Sequence, residues 1–212
     1  SGFYVLTLFE TLAEHELPFF VNFMQYLQIE NYPLPAIIAM ESGAVLGNVA
    51  GKPAMLTQFL SGHTLSNIAP LQAKSAGDVL GQLHILTTLC QHERENIYDL
   101  AWHKQLAKYI TPYLTAQQQK LLLDELTWQE QQDYSELPTG LCHMDLFPDN
   151  VLFHGNTLTG VLDFYFACND FLMYEIAICI NALCFDNKNG KFLFNKKKSK
   201  NLIKGYSKIR KL

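Results

Sequence analysis

Apolar residues change their spacing several times along this chain of 212 residues. From Phe3 to Phe9 aromatic and β-branched residues run almost unbroken, which predicts a strand. Leu17, Phe20, Phe23, Met24 and Leu27 then recur at helical intervals, with Pro18 tolerated in the first turn and a stop near Asn31-Tyr32-Pro33. Ile37 to Met40, Ala44 to Val49 and Ala54 to Phe59 read as three short strands, with Glu41-Ser42-Gly43 and Ala50-Gly51-Lys52 as turns. Beyond Ser61-Gly62-His63 the period becomes helical. Ala76, Val79, Leu80, Leu83 and Leu86 form one stripe, a second segment runs from Asn96 to about Tyr113, and a third covers Ala116 to Gln132. His84 lies on the stripe face and is expected to be a core histidine with its hydrogen bonds satisfied.

Leu137-Pro138-Thr139-Gly140 leads into a polar loop. After it, Val151 to Phe153 and Leu158 to Leu162, separated by His154-Gly155-Asn156, predict a hairpin. Tyr174 to Phe185 is apolar nearly all round and predicts a buried helix. The expected architecture is α+β with two lobes. Residues 1–60 would form an N-terminal lobe of strand, helix and three strands, and residues 61–212 a mainly helical lobe carrying the loop and the hairpin. No internal repeat or low-complexity linker interrupts them.

Composition narrows the classes. Hydrophobic residues make up 49% of the chain, enough for a substantial core. No apolar run reaches the length of a bilayer, and the first residues lack the basic region and cleavage site of a secretory signal, so the cytoplasm is expected and a membrane partner is not. Five cysteines, odd in number and without a CxxC pair, read as reduced and buried thiols; Cys142 and Cys168 lie nearest the acidic cluster, where a reactive thiol would be sought. The net charge of −4 hides an asymmetry, because ten of the 16 basic residues fall after position 187 and all 20 acidic ones before it. Lys196-Lys197-Lys198-Ser199-Lys200 accompanies Leu202, Ile203, Tyr206 and Ile209 at helical spacing, which predicts a solvated helix face. Nucleic acid is not an expected partner.

The chemistry is concentrated in His143-Met144-Asp145-Leu146-Phe147-Pro148-Asp149-Asn150 and, thirteen residues later, Asp163. A carboxylate and an amide five residues apart on a tight loop can converge on one cavity, and the hairpin would return Asp163 to the same end. Phosphoryl transfer needs such a set: a carboxylate to take a hydroxyl proton, and oxygen ligands for the cation that bridges nucleotide phosphates. Asp145 is the candidate base, with Asn150 and Asp163 as ligands for Mg²⁺, which seldom takes an all-protein cage. His143 is grouped with Asp145 as a catalytic candidate, and holding backbone is its expected part.

The order of elements and these motifs resemble the aminoglycoside-phosphotransferase-like branch of the protein-kinase fold, and within it bacterial homoserine kinases more closely. The resemblance rests on Val5-Leu6-Thr7-Leu8-Phe9-Glu10, Leu17-Pro18-Phe19-Phe20, the loop from His143 to Val151, Asp163 to Phe171, and Glu175 to Ala182. It runs almost end to end. It implies ATP-dependent phosphorylation of the L-homoserine hydroxyl to O-phospho-L-homoserine, for threonine synthesis. By the same resemblance adenine would lie against Gln58-Phe59-Leu60, Thr7 would stand where many relatives carry a phosphate-binding lysine, and Glu175 would replace the usual Asp that braces the loop, its extra methylene shifting that brace. Asp149, Asp170 or Glu175 would meet the substrate ammonium, with Asp170 preferred, and Tyr165 or Asn169 could donate to the substrate.

Certain features depart from the family pattern. Gly43, Gly47 and Gly51 come too late to form a phosphate-covering loop, so such a loop is expected before Phe3 and the chain is expected to be cut at both ends. No lysine or arginine precedes Lys52, so Glu14 and Glu16 are expected to favour a helix N-terminus rather than pair with a lysine. Two other readings stand beside the leading one: a kinase for an aminoglycoside, choline or sugar alcohol, and a non-catalytic fragment.

Overall fold

The computed structural model describes residues 2–212. Two compact units divide the chain: residues up to Arg94 together with Thr139–Leu212, and Glu95–Pro138. The expected lobe junction near residue 60 runs inside the first.

In the first unit, β1 (Tyr4–Leu8), β2 (Leu46–Val49) and β3 (Lys52–Gln58) form an antiparallel sheet in the order β1-β3-β2. Ala50 and Gly51 both have positive φ, 52° and 81°, and close the β2–β3 hairpin in two residues as the twist of paired strands requires. Ile37 to Met40 is not the separate strand that its apolar run predicts. Only Ile37 bridges to β3, opposite Thr57, on the edge that Leu46 occupies opposite Met55. Residues nine apart thus face partners two apart on β3, and the intervening segment loops out through the turn at Gly43.

Helix α1 (Leu17–Ile29) buries Leu17, Phe20, Val21, Phe23, Met24 and Leu27, the stripe read from the sequence. It ends because Asn31 turns left-handed, with φ 58°, so that the Tyr32 N–H reaches the Leu27 carbonyl and the Asn31 N–H that of Gln28. Helix α2 (Pro70–Thr87) starts on a proline, and the Gln72 side chain accepts the Ala69 N–H. The second unit holds α3 (Leu100–Ile110) and α4 (Ala116–Glu130). Asp99 caps the Trp102 N–H at 2.8 Å, which starts α3 four residues after the predicted Asn96.

Pairing of β4 (Thr139–Cys142) with β7 (Cys168–Phe171), and of β8 (Phe185–Lys188) with β9 (Lys191–Phe194), was not visible in the periodicity. The hairpin of β5 (Val151–His154) and β6 (Thr157–Val161) forms as predicted. Helix α5 (Leu172–Leu183) buries one face, through Leu172, Glu175, Ile176, Cys179 and Leu183, while Met173 and Tyr174 stay exposed, so it is amphipathic and not enclosed all round. Helix α6 (Lys196–Ile209) presents most of its lysines to solvent, with one exception: Lys198 is buried, bonded to Asp186 and Asn67. α2 and α6 pack backbone to backbone, since a Cβ on Gly77 or Gly205 would lie 2.0 Å from a carbonyl oxygen of the other helix. All five cysteines are free. Among the described residues no helix is long and apolar enough to cross a membrane.

Candidate active site

The loop after β4 turns at Met144, whose φ of 68° is a left-handed conformation that non-glycine residues rarely adopt. Such strain persists only where surrounding bonds over-determine it. Here Glu175 supplies them: its Oε1 accepts the N–H of His143 at 2.7 Å and of Met144 at 2.8 Å. The brace expected of this position is therefore made, and the extra methylene leaves it intact. Glu175 Oε2 meets His84 Nε2 at 2.7 Å, and His84 Nδ1 lies 2.8 Å from the Tyr206 hydroxyl. His84 is the satisfied core histidine that its stripe position predicts. Burial opposes the Glu175 charge, but the His84 bond and charge and the loop N–H groups outweigh it and hold the carboxyl below its ordinary value.

Asp145 follows the turn. The Asn150 amide donates to its Oδ2 at 2.7 Å and to its backbone carbonyl at 2.9 Å. With its nitrogen so committed, Asn150 keeps the amide oxygen as its donor for a cation. Burial first, then the neighbouring Asp163 carboxylate, raise Asp145 above the ordinary carboxylate range; the Asn150 bond pulls the other way, and Asp149 adds to the rise. Val151 pairs with Val161, and the Leu162 N–H donates to the Asn150 carbonyl at 2.9 Å, so the hairpin delivers Asn150 and Asp163 to one end as its register predicts. Asp163 itself has φ 59°, a second left-handed residue at the site.

His143 ties the two segments together. Its Nε2 donates to the Leu162 carbonyl at 2.8 Å and its Nδ1 accepts the Asp145 N–H at 3.2 Å, which defines the neutral Nε2–H tautomer. Burial pushes its pKa down, consistent with that form. The ring is fully enclosed, so neither nitrogen faces the cleft.

A cleft of about 630 Å³ opens beside this end. Asn150, Asp163, Tyr165 and Thr7 line it together with Gln58, Phe59 and Leu60, so the expected phosphate and adenine positions border one cavity. The N–H groups of Gln58 and Phe59 already donate to Ala36 and Phe3; that of Leu60 has no partner among the described residues. No lysine or arginine lines the cleft. Asp163 is its one carboxylate, beside the Asn150 amide, while Asp145 lies outside the lining but close enough to Asp163 to feel its charge, a hard-oxygen, anionic setting that suits a divalent cation. Burial and then Asp163 push the Tyr165 phenol up to about 12, against the Thr7 bond that lowers it, so it is a neutral donor. Phe9 and Phe20 pack edge-on to its ring at 5.0 and 5.8 Å.

The weaker substrate candidates separate. Asp149 is exposed and electrostatically close to Asp145. Asp170 pairs with Gly140, at the end of β4 away from the loop, and its carboxylate accepts the Phe171 N–H. Glu175 is enclosed. Asn169 clamps the Arg94 backbone, accepting its N–H at 2.8 Å and donating its own N–H to the Arg94 carbonyl at 2.7 Å. Glu16 has Arg94 as its partner at 3.0 Å, a long-range pair that its place at a helix start did not suggest. Cys142 and Cys168 are buried and their thiols raised, Cys168 to about 12, so neither is activated. The link from Glu175 through His84 to Tyr206 escaped the sequence; Glu in place of the usual Asp, and a histidine within an apolar stripe, were its only traces.

A strand pair feeding a tight Asp–Asn loop, followed by a hairpin that returns a second Asp to a cleft under a small sheet, defines a phosphotransferase fold of the aminoglycoside-phosphotransferase type. The solved structures agree: amicoumacin kinase, in complex with AMP-PNP and Ca²⁺, superposes with a TM-score of 0.75 at 18% identity, over 99% of this chain and 67% of its own. An aminoglycoside phosphotransferase from Alicyclobacillus acidocaldarius gives 0.72 at 15%, over 98% and 68%. Residues 1–193 match the phosphotransferase enzyme family, and the chain belongs to it. Its curated relatives are more specific. The homoserine kinase of Polaromonas naphthalenivorans is 38% identical over 90% of this chain and 62% of its own length, and that of Bartonella henselae 37% identical over 100% and 67%. The chain spans 58% to 67% of the length of such relatives.

Proposed function

We propose that the intact protein is a homoserine kinase, transferring the γ-phosphoryl group of ATP to the hydroxyl of L-homoserine in the cytoplasm, as a step toward threonine. The observation that carries the reading is the convergence of Asp145, Asn150 and Asp163 at one end of the hairpin, in a chain whose relatives are named for this acceptor.

Asp145 takes the hydroxyl proton as the oxygen attacks, and its raised affinity for a proton suits that part. The Asn150 amide occupies Asp145 Oδ2 and leaves Oδ1 for the hydroxyl proton, so the carboxylate is held in place before substrate arrives. Asn150 and Asp163 are the residues that hold Mg²⁺, which screens the phosphate charge when bound. Thr7 and Tyr165 offer neutral donors where a lysine would otherwise stand. Leu60 offers its N–H to the adenine, and Asp149, exposed beside Asp145, faces the substrate ammonium.

The test is a coupled ADP assay with a panel of hydroxylated acceptors, and calorimetric titration with MgATP. L-Homoserine should exceed an aminoglycoside, choline and a sugar alcohol in kcat/KM, and Asp145→Asn should lower kcat by about 10²–10⁴-fold with MgATP still bound. Another acceptor winning the panel would replace homoserine. Undiminished turnover in the variant would remove Asp145 as the base, and absence of MgATP binding by the folded protein would favour a non-catalytic fragment.

A further inference from the structure

The brace under the catalytic loop does not end at Glu175. As a buried carboxylate Glu175 only accepts, so His84 Nε2 donates to it; on the other side His84 Nδ1 shares a hydrogen bond with the Tyr206 hydroxyl, whose oxygen also accepts from Arg210 Nη1 at 3.2 Å. Every member has a partner on each side, and the line runs from the end of α6, through α2 and α5, to the two N–H groups that hold the left-handed turn at Met144. Glu175, His84 and Tyr206 are each fully buried. The far end is fixed as firmly. Gly77 and Gly205 let α2 and α6 meet at backbone contact, which brings Tyr206 of α6 within hydrogen-bond reach of His84 of α2.

We propose that His84 and Tyr206 are positioning residues for phosphoryl transfer: acting through Glu175, they hold the His143–Met144 backbone in the turn that aims Asp145, so the seating of α6 sets the turnover rate. This rests on Asp145 being the base, as read above, and not on which alcohol is the acceptor.

The experiment compares Tyr206→Phe, His84→Gln, Glu175→Gln and the double variant Glu175→Gln/Tyr206→Phe in the intact protein. Tyr26→Phe is the control, since it removes a hydroxyl bonded to α2 at the Leu86 carbonyl, outside the line. Steady-state kinetics and amide hydrogen exchange are both read. Tyr206→Phe should lower kcat roughly fivefold to tenfold, the scale of one lost buried hydrogen bond, with both KM values within about twofold. It should also speed exchange in the peptide covering 142–147 while α1 keeps its protection. In the Glu175→Gln background the same change should add less than about twofold, because the link is already cut. Unchanged kcat in both Tyr206→Phe and His84→Gln overturns the proposal, as does a full independent loss in the double variant or a rise in exchange throughout the protein. Exchange needs no substrate. A wild-type protein inert toward every alcohol therefore refutes the kinase reading and the catalytic part of the proposal with it, while loosening of the loop alone in Tyr206→Phe would still show that Tyr206 braces the Met144 turn.

Discussion

Replacing Gly77 with alanine sets two physical effects against each other with opposite signs. Helix propensity alone favours the change: alanine in a helix interior is about 1 kcal/mol better than glycine, which would raise Tm by roughly 2–4 °C for a chain of this size. The packing of α2 on α6 opposes it. A Cβ at position 77 would lie 2.0 Å from the Leu202 carbonyl oxygen and 2.9 Å from the Tyr206 nitrogen, and these are backbone atoms that no rotamer change can move. Since real Cβ contacts stop near 3.0 Å, the helices must part by at least 1 Å. Overpacking of this kind costs about 3 kcal/mol or more when backbone has to move, so the net effect is a loss of about 2–3 kcal/mol and a fall in Tm of roughly 5–10 °C. Gly205→Ala, 2.0 Å from the Lys74 carbonyl, should match it, and Gly81→Ala, with its nearest neighbour at 3.0 Å, should cost much less. Scanning calorimetry of the three variants gives the order. A Gly77→Ala protein as stable as wild type, or more so, would mean that propensity decides and that the close helix contact is not real.

Other consequences can be measured directly. Asp163→Asn should weaken MgATP binding while leaving metal-free ATP binding nearly unchanged; equal loss in both titrations would place Asp163 outside a cation site. Lys198→Met should destabilise by about 2–3 kcal/mol in denaturant titration, less than for a fully enclosed ion pair because Asp186 is partly exposed and can rehydrate; a change under about 0.5 kcal/mol would show that the pair contributes little. His143 is held below its ordinary pKa by burial, so the unfolded chain takes up that proton first as pH falls. Its contribution is complete above about pH 6.5 and is lost below it, at up to about 1.4 kcal/mol per pH unit, as pH drops toward the folded-state value. Tm between pH 7.5 and 5 should therefore fall less steeply in His143→Gln than in wild type, and an equal slope would refute the assignment. Under limiting iodoacetamide, mass spectrometry should find Cys90, partly exposed, modified well before enclosed Cys142; early labelling of Cys142 would mean that the loop opens.

Elements with a strong internal period were legible. The α1 and α2 stripes, the β5–β6 hairpin and the grouping of Asn150 with Asp163 all follow from residue spacing and a turn signal, which are local properties. Pairings that join distant segments left no such trace. β4 and β7 are four-residue strands whose partners lie about thirty positions apart, and Cys168-Asn169-Asp170-Phe171 has too little alternation to mark a strand. Ile37 to Met40 misled for the converse reason: its composition favours a strand, but after the Ile37 bridge and the Ile38 N–H bond to Leu56 the turn at Met40–Ala44 takes up the Met40 N–H and carbonyl. Lys198 looked like one more solvated lysine until Asp186 and Asn67, from other segments, closed over it. At the candidate site, Asp145, Asn150 and Asp163 could be grouped because their spacing is dictated by the loop and hairpin, and Glu175 could be named as the brace only by resemblance; its partners His84 and Tyr206 meet it only through tertiary packing.

The detour between Ile37 and Leu46 has a practical side. Both ends are pinned to the same edge of β3, so the length of the stretch from 38 to 45 is decoupled from the strand register on either side of it. Lengthening a surface loop adds only about 0.6 kcal/mol per doubling. The exposed tip at Glu41-Ser42-Gly43 is thus a natural port for a fluorophore or an affinity peptide, one that reports on the rim of the sheet without disturbing the Asp145–Asn150 loop.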